Sequence, residues 1–424
     1  MKKIWDSRWL GLPVVMLLAS GAAGACSTAV GTSSGIATNT LSLEEAVRIS
    51  LESNPELRAS GARVEAAAGR AHQAGKWTNP ELELKAEDWP VSNGHGFSDA
   101  KQTIGIIQTL PYPGKKSLDK RIGGAGVKFS EAELALRRTE VVRDVKAGFY
   151  RVLATERLVE VSRELVSVAE SSAATARKRV DAGAAAYQEQ LRAEVQLEQA
   201  RTELADFERD LATVRQAFAT VLGRPDLRDA NLSGALADAP DSTLTEARAE
   251  SMLDRHPSTA AARTEVAKAD LEQRRARLDP YPDVQVGMSG GRIGETDQSI
   301  IQLGFALPLP ILDTGKGKKE EAKANVAVAE AELTRVQQAL QREWANAQKR
   351  YRTAIEQVAS YRDRLLPKAT EALRLVRTGF EEGKFGFIDL LDTQRTTAEA
   401  RLAYQQKLLE MNIAQAELEA LLRP

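Results

Sequence analysis

Groups able to do chemistry are few and scattered in this chain. Its 424 residues include three histidines, His72, His95 and His256, and one cysteine, Cys26. No two histidines stand at the short spacings by which a helix or loop brings two ligands to one metal. Glu87, Asp88, His95 and Asp99 fall in or beside one expected loop, where a solvated charged surface is the simpler reading. No nucleophile, acid–base pair or phosphate loop stands out, and Gly123-Gly124 and Gly290-Gly291 are isolated turn or junction glycines. The expectation is a protein that is not an enzyme, holds no resident metal and needs no cofactor. One carboxylate pair has an informative spacing. Asp389 and Asp392 lie three apart, so they share a face of the first turn of the last long helix, where the helix dipole favours an acid in any case.

The single cysteine has a telling position. Lys2, Lys3 and Arg8 precede an apolar run from Leu10 to Leu18, too short to cross a bilayer and remain there, so residues 1–25 read as a secretory signal. Ala23-Gly24-Ala25 then lead into Cys26. Two processing outcomes fit: acylation of Cys26 as the first mature residue, or ordinary cleavage near Ala25 with an incidental thiol. We favour acylation, because the only cysteine stands at the end of the signal; Ser27 after it is compatible with sorting to the outer membrane. With one cysteine, disulfides and thiolate metal sites are excluded. Residues 26–40 are small and polar, a tether without core-forming side chains.

Composition narrows the remainder. The formal net charge is −1, 28% of residues are charged and 5% are aromatic, so no basic excess points to nucleic acid. Beyond the signal no 20-residue apolar run survives, and a membrane-spanning form would have to be a barrel.

The elements that would position Asp389 and Asp392 are two long helical tracts between Lys316 and Leu422. In the first, apolar residues recur at Val326, Ala329, Leu333, Val336, Leu340, Trp344, Ala347, Tyr351, Ala354, Val358, Tyr361 and Leu365, the seam of a coiled coil with one stutter at Trp344. Leu366-Pro367 should bend or locally break that stave. The turn Gly379-Phe380-Glu381-Glu382-Gly383-Lys384 follows. The returning helix puts Leu391, Ala398, Leu402, Leu409, Ile413 and Ala416 on one face. The same hairpin occurs earlier: a shift of 200 positions places Gly183 on Gly383, Tyr187 on Phe387, Leu191 on Leu391, Arg201 on Arg401 and Leu222 on Leu422. Asn54-Pro55 and His256-Pro257 each precede a second proline by the same interval (80 − 55 = 25; 282 − 257 = 25). Capping boxes at Ser42-Leu43-Glu44-Glu45 and Thr243-Leu244-Thr245-Glu246 open the two halves. The chain is thus a tandem repeat, with a first unit over 41–223, a linker over 224–241 and a second unit over 242–424.

Each unit reads short helix, helix, strand, strand, long helix, helix. The expected strands are Glu81–Glu87, Lys101–Leu110, Asp283–Gly287 and Gln298–Leu307, with alternating apolar positions and the length that crosses an outer membrane when tilted. A soluble sheet with one wet face has the same alternation. Four strands cannot close around a lumen, and an open sheet edge in lipid is forbidden. A homotrimer giving 12 strands fits better than a dimer giving eight. The long helices, Gly114 to Gly183 and Gly315 to Gly383, would each run about 100 Å at 1.5 Å per residue. The helices Pro55 to Trp77 and Tyr187 to Leu222 would match one of them end to end, as would Pro257 to Leu278 and Phe387 to Leu422 in the second half. The fold class expected is mainly α with a β-barrel portion: a periplasmic α-helical barrel hanging from a trimeric 12-stranded outer-membrane β-barrel.

With these features the chain resembles the TolC family of trimeric outer-membrane efflux channels, over essentially all of Leu41 to Leu422. Leu43-Glu44-Glu45-Ala46, Asn54-Pro55-Glu56-Leu57, Asn79-Pro80-Glu81-Leu82 and Leu307-Pro308-Leu309-Pro310-Ile311-Leu312-Asp313 are most similar to its cobalt-zinc-cadmium and copper-silver branch. The resemblance implies a passive exit duct set in outer-membrane lipid, docked to a periplasmic adaptor protein and fed by a proton-driven inner-membrane pump of the RND type. It implies that Asp389 and Asp392, in three copies, form the acidic ring of a periplasmic gate that favours cations. It also implies that the adaptor docks around the hairpin tips at Gly183, Gly379 and Gly383. Phe380 and Phe385 depart from the tyrosine and arginine of the family's best-known member, so a hydroxyl-based lock is not expected. Heavy-metal cations are the cargo the resemblance implies. A channel for drugs or other organic molecules is the alternative, and a periplasmic coiled-coil scaffold lipoprotein a second one that leaves the paired strands unexplained.

Overall fold

The computed structural model describes residues 40–88, 97–239, 241 and 253–422. The signal, Cys26, the tether up to residue 39, His95 and the capping box at Thr243 lie outside the described residues, and Thr40, the last tether position, opens β1. The elements are β1 (Thr40–Ser42), α1 (Leu43–Ser53), α2 (Pro55–Ala74), β2 (Glu81–Glu87), β3 (Lys101–Leu110), α3 (Lys115–Asp181), α4 (Tyr187–Leu222), β4 (Asn231–Ser233), α5 (Pro257–Ala276), β5 (Val284–Ile293), β6 (Gln298–Ala306), α6 (Lys316–Ser360), α7 (Leu366–Glu381) and α8 (Phe387–Leu422). The chain is mainly helical, and among the described residues no helix is long and apolar enough to cross a membrane.

Local chemistry sets the helix boundaries. Ser42 caps α1 by accepting from the Glu45 amide, as the capping box requires. Asn54 caps α2 by accepting from Glu56 and Leu57, with Pro55 at the first helical position. The same Asn54 donates from Nδ2 to the Val221 carbonyl at 2.8 Å. Ser53 donates to the Leu222 carbonyl at 2.7 Å. These side chains satisfy carbonyls at the end of α4 that no further helical turn could reach, and so join the two ends of the first unit.

α3 carries α2 along its first part and α4 along its second, the end-to-end stave expected from length. Arg137 of α3 pairs with Glu56 of α2. Lower down, Glu156, Arg163 and Glu170 of α3 pair with Arg215, Glu208 and Arg201 of α4, an antiparallel ladder. In the second unit the stave has a wide turn over Tyr361–Leu365, where the Leu366 amide bonds to the Tyr361 carbonyl. Pro367 has no N–H to offer and its ring would clash with the Asp363 carbonyl, so the backbone widens by one residue instead of breaking. The seam is buried from Leu340 through Val358, and Leu365 is exposed. On α8 the expected face is only partly the buried one. Leu391, Leu402 and Ala416 are buried, but Leu408, Met411 and Leu418 are buried in place of Leu409 and Ile413. The cause is that α8 packs against both α3 and α6, so its covered stripe is wider than one seam.

The four strands form one antiparallel sheet in the order β2-β3-β5-β6. β5 is longer than its alternating stretch suggested and runs through Gly290 and Gly291 to Ile293, paired on both sides. A small parallel pair, β1 with β4, ties the start of the first unit to the linker. The linker is held further by buried Asn412, which accepts from the Ala237 amide and donates to its carbonyl, both at 3.0 Å.

Candidate functional site

The sheet sorts its side chains by register. Leu82 faces Ile106, Leu84 faces Ile104, Ile106 faces Met288, Met288 faces Leu303 and Val286 faces Phe305, so these side chains share one surface. That surface is bare: Leu84 is 71% exposed, Ile301 79% and Phe305 75%. The opposite surface carries Glu81, Glu83, Lys85, Glu87, Thr103, Gln285, Ser289 and Gln302, with Glu83 and Lys85 paired at 2.8 Å and Lys101 with Glu87 at 3.4 Å. Exposed apolar surface of this extent needs a partner or lipid, and an apolar outside with a polar inside is the pattern of a transmembrane barrel wall. Among the described residues β2 and β6 are paired on one side only, so the four strands form an open sheet.

At the far end of the staves two hairpins turn. Gly183 and Gly383 have φ of +69° and +75°, the left-handed region that favours glycine. In each turn the glycine amide bonds back three residues and the next amide bonds back five, from Ala184 to Arg179 at 2.8 Å and from Lys384 to Gly379 at 2.7 Å. This pattern closes the last helical turn without a side chain. The second tip adds aromatic packing. Phe387, Leu390 and Leu391 are buried with Ala173, Ala176 and Ala193 of the first hairpin. The Phe380 and Phe387 rings lie 5.7 Å apart, and the Arg179 guanidinium sits 4.9 Å from the Phe380 centroid, within cation–π range. Phe385 lies directly over Gly379, where any Cβ would collide with its ring.

Asp389 and Asp392 are both exposed, on the side of α8 opposite that core. Asp389 also acts locally, because its Oδ2 accepts from the Gly386 amide at 2.9 Å, a third-position carboxylate capping the helix start. Asp392 accepts from Arg395 at 3.1 Å. Of the three tip glycines, Gly379 packs under Phe385, while Gly183 and Gly383 are exposed at their turns with no neighbouring atom in reach of an added Cβ, and the two aspartates point away from the tip core.

Further up the staves lies an acidic group that sequence reasoning missed. Burial raises the Glu203 carboxyl above the ordinary range, and Glu399 and Asp206 push it the same way. Only the pairing of α4 with α8 shows it, because Glu203 and Glu399 are remote in sequence. Among the described residues no group of three or more His, Cys, Asp or Glu side chains is placed to hold a metal ion.

Comparison with known proteins agrees with this geometry. The cobalt-zinc-cadmium resistance protein CzcC of Cupriavidus metallidurans is 28% identical over 364 residues, covering 86% of this chain and 85% of that protein. The nickel-cobalt-cadmium resistance protein NccC of Alcaligenes xylosoxydans is 24% identical, over 73% of this chain and 69% of that protein. Among solved structures, CusC, studied for its folding and transmembrane channel formation, superposes with a TM-score of 0.77 at 15% identity, over 90% of this chain and 92% of that one. The model of the outer membrane efflux protein family matches residues 46–224 and 249–422, and the chain belongs to that family.

Proposed function

We propose that the chain is the outer-membrane duct of a tripartite heavy-metal efflux system. The observation that carries this reading is the open four-stranded segment, apolar on one surface, polar on the other and unpaired at β2 and β6. Three copies would join those edges into a 12-stranded barrel with the polar surface inward, because lipid cannot satisfy a bare strand edge. The staves would continue the lumen across the periplasm. The tips around Gly183, Gly379 and Gly383 would dock the adaptor that links the duct to an RND pump. Asp389 and Asp392, exposed and free of the core, would ring the entrance with six carboxylates and favour cations. Acylation of Cys26 would anchor each copy.

Metal cations are the cargo this reading favours, supported by the likeness to CzcC and NccC. A duct needs weak, repeated contacts and no high-affinity cage, so a dispersed set of ligands suits passage. Deleting the gene is expected to sensitise cells to cobalt, zinc, cadmium, copper or silver more than to dyes and antibiotics. The reverse pattern would transfer the duct to organic cargo.

A further inference from the structure

The internal repeat specifies a contact between copies. At the junction of the two units, Lys115, the first residue of α3, donates to Asp283 at 2.8 Å, and the Tyr112 amide donates to the same Oδ1 at 2.8 Å. Lys115 follows a left-handed glycine, Gly114, and Asp283 follows Pro282 just ahead of β5. The pair seals the seam where β3 meets β5, and the Lys115 side chain is only 8% exposed. Both partners have counterparts in the other unit. Lys316 is the first residue of α6 and follows Gly315, also left-handed. Glu81 follows Pro80 and opens β2.

Strand register supports the equivalence. Glu83, two residues after Glu81, faces Gly105, which stands nine before Gly114 (114 − 105 = 9). Gln285, two residues after Asp283, faces Ala306, which stands nine before Gly315 (315 − 306 = 9). The hairpins therefore hold the acid and the lysine at matching heights. Yet within one copy Lys316 and Glu81 lie at the two ends of the order β2-β3-β5-β6. The Lys316 side chain is 82% exposed and, among the described residues, its ion pair is with Glu320 at 3.8 Å, and Glu81 is exposed.

We propose that Lys316 of one protomer binds Glu81 of the next, repeating between copies the seal that Lys115 and Asp283 make inside one. The occupant of this edge is a second copy of the same chain, chosen by opposite charge at matched height on two unpaired strand edges. Burial on assembly would strengthen the ion pair by excluding water from it. The proposal rests on the trimeric duct described above and assigns its seam.

Charge reversal tests it in the full-length chain. Lys316→Glu and Glu81→Lys are each expected to lower the trimer-to-monomer ratio in detergent about fivefold, and the double reversal to restore most of it. In the chain carrying Lys316→Cys with Glu81→Cys, a short thiol-reactive cross-linker should give dimer and trimer bands. Each single-cysteine variant reports any linkage through Cys26. Lys115→Cys with Asp283→Cys should link within one chain and add no mass step. Rescue together with inter-chain bands supports the pair. A trimer in which the double reversal is no better than the worse single, without inter-chain bands, overturns the pair and leaves the duct standing. A chain that is monomeric before any substitution overturns both.

Discussion

The two hairpin tips share a backbone and differ in almost every side chain that could act. Gly183 and Gly383 adopt the same left-handed conformation and close the same bonds. Around them the pattern inverts. The first tip has Arg179 and Ala185 where the second has Gly379 and Phe385, and Tyr187 is 62% exposed where Phe387 is 3% exposed. The turn needs only a glycine, so the remaining positions were open to diverge. The second tip became an aromatic-packed end, and the first lends it Arg179 and a row of alanines. What is repeated closes the turn, and what is not repeated decides how each tip packs.

Substitutions can break that contrast. The largest effect is expected at Gly379→Val, which drives a side chain into the Phe385 ring and should cost about 1–3 kcal/mol, seen as faster hydrogen exchange at the second tip. Arg179→Val at the matching place should not disturb the first turn. Gly183→Ala and Gly383→Ala meet no neighbouring atom but strain the left-handed backbone, and each should cost about 1 kcal/mol. Equal losses would confirm that the turns are one device; unequal losses would mean that side chains also hold them. Arg179→Ala removes the cation over Phe380 and should loosen the second tip more than the first, by about 0.5 kcal/mol.

The smallest effect compares the unit starts. His256 occupies the place of Asn54, is 4% exposed, and accepts from the Ser258 amide through Nδ1. Burial pushes the imidazole below its ordinary value of 6.5, against a smaller upward pull from Glu140. As pH falls through that value, the unfolded chain takes a proton that the folded chain resists. The stability present above it is therefore lost on acidification. His256→Asn should flatten this acid slope in thermal melts, and an unchanged slope would assign it to other groups.

Much of the fold could be read from periodicity. The ends of α4 and α8, the capping residue Ser42, the paired strands and the disturbance near Pro367 all follow from local rules. Contacts between distant segments were not legible. Asn412 clamping Ala237, Glu203 beside Glu399, and Arg179 over Phe380 depend on which helices become neighbours. The extension of β5 through Gly290 and Gly291 was hidden because glycines carry no alternation. Asp389 and Asp392 were visible as a pair, but their division of labour was not: one caps a helix and the other answers Arg395.

That division makes the decisive experiment clean. In Asp389→Asn the amide oxygen can still accept from Gly386, so the helix start survives while the charge is lost. Single-channel recording of the purified chain in planar bilayers should show discrete conductance steps with a preference for cations. The preference should drop when Asp389→Asn and Asp392→Asn are combined. A chain that gives no channel steps, and stays monomeric and water-soluble without a bilayer, would contradict the account.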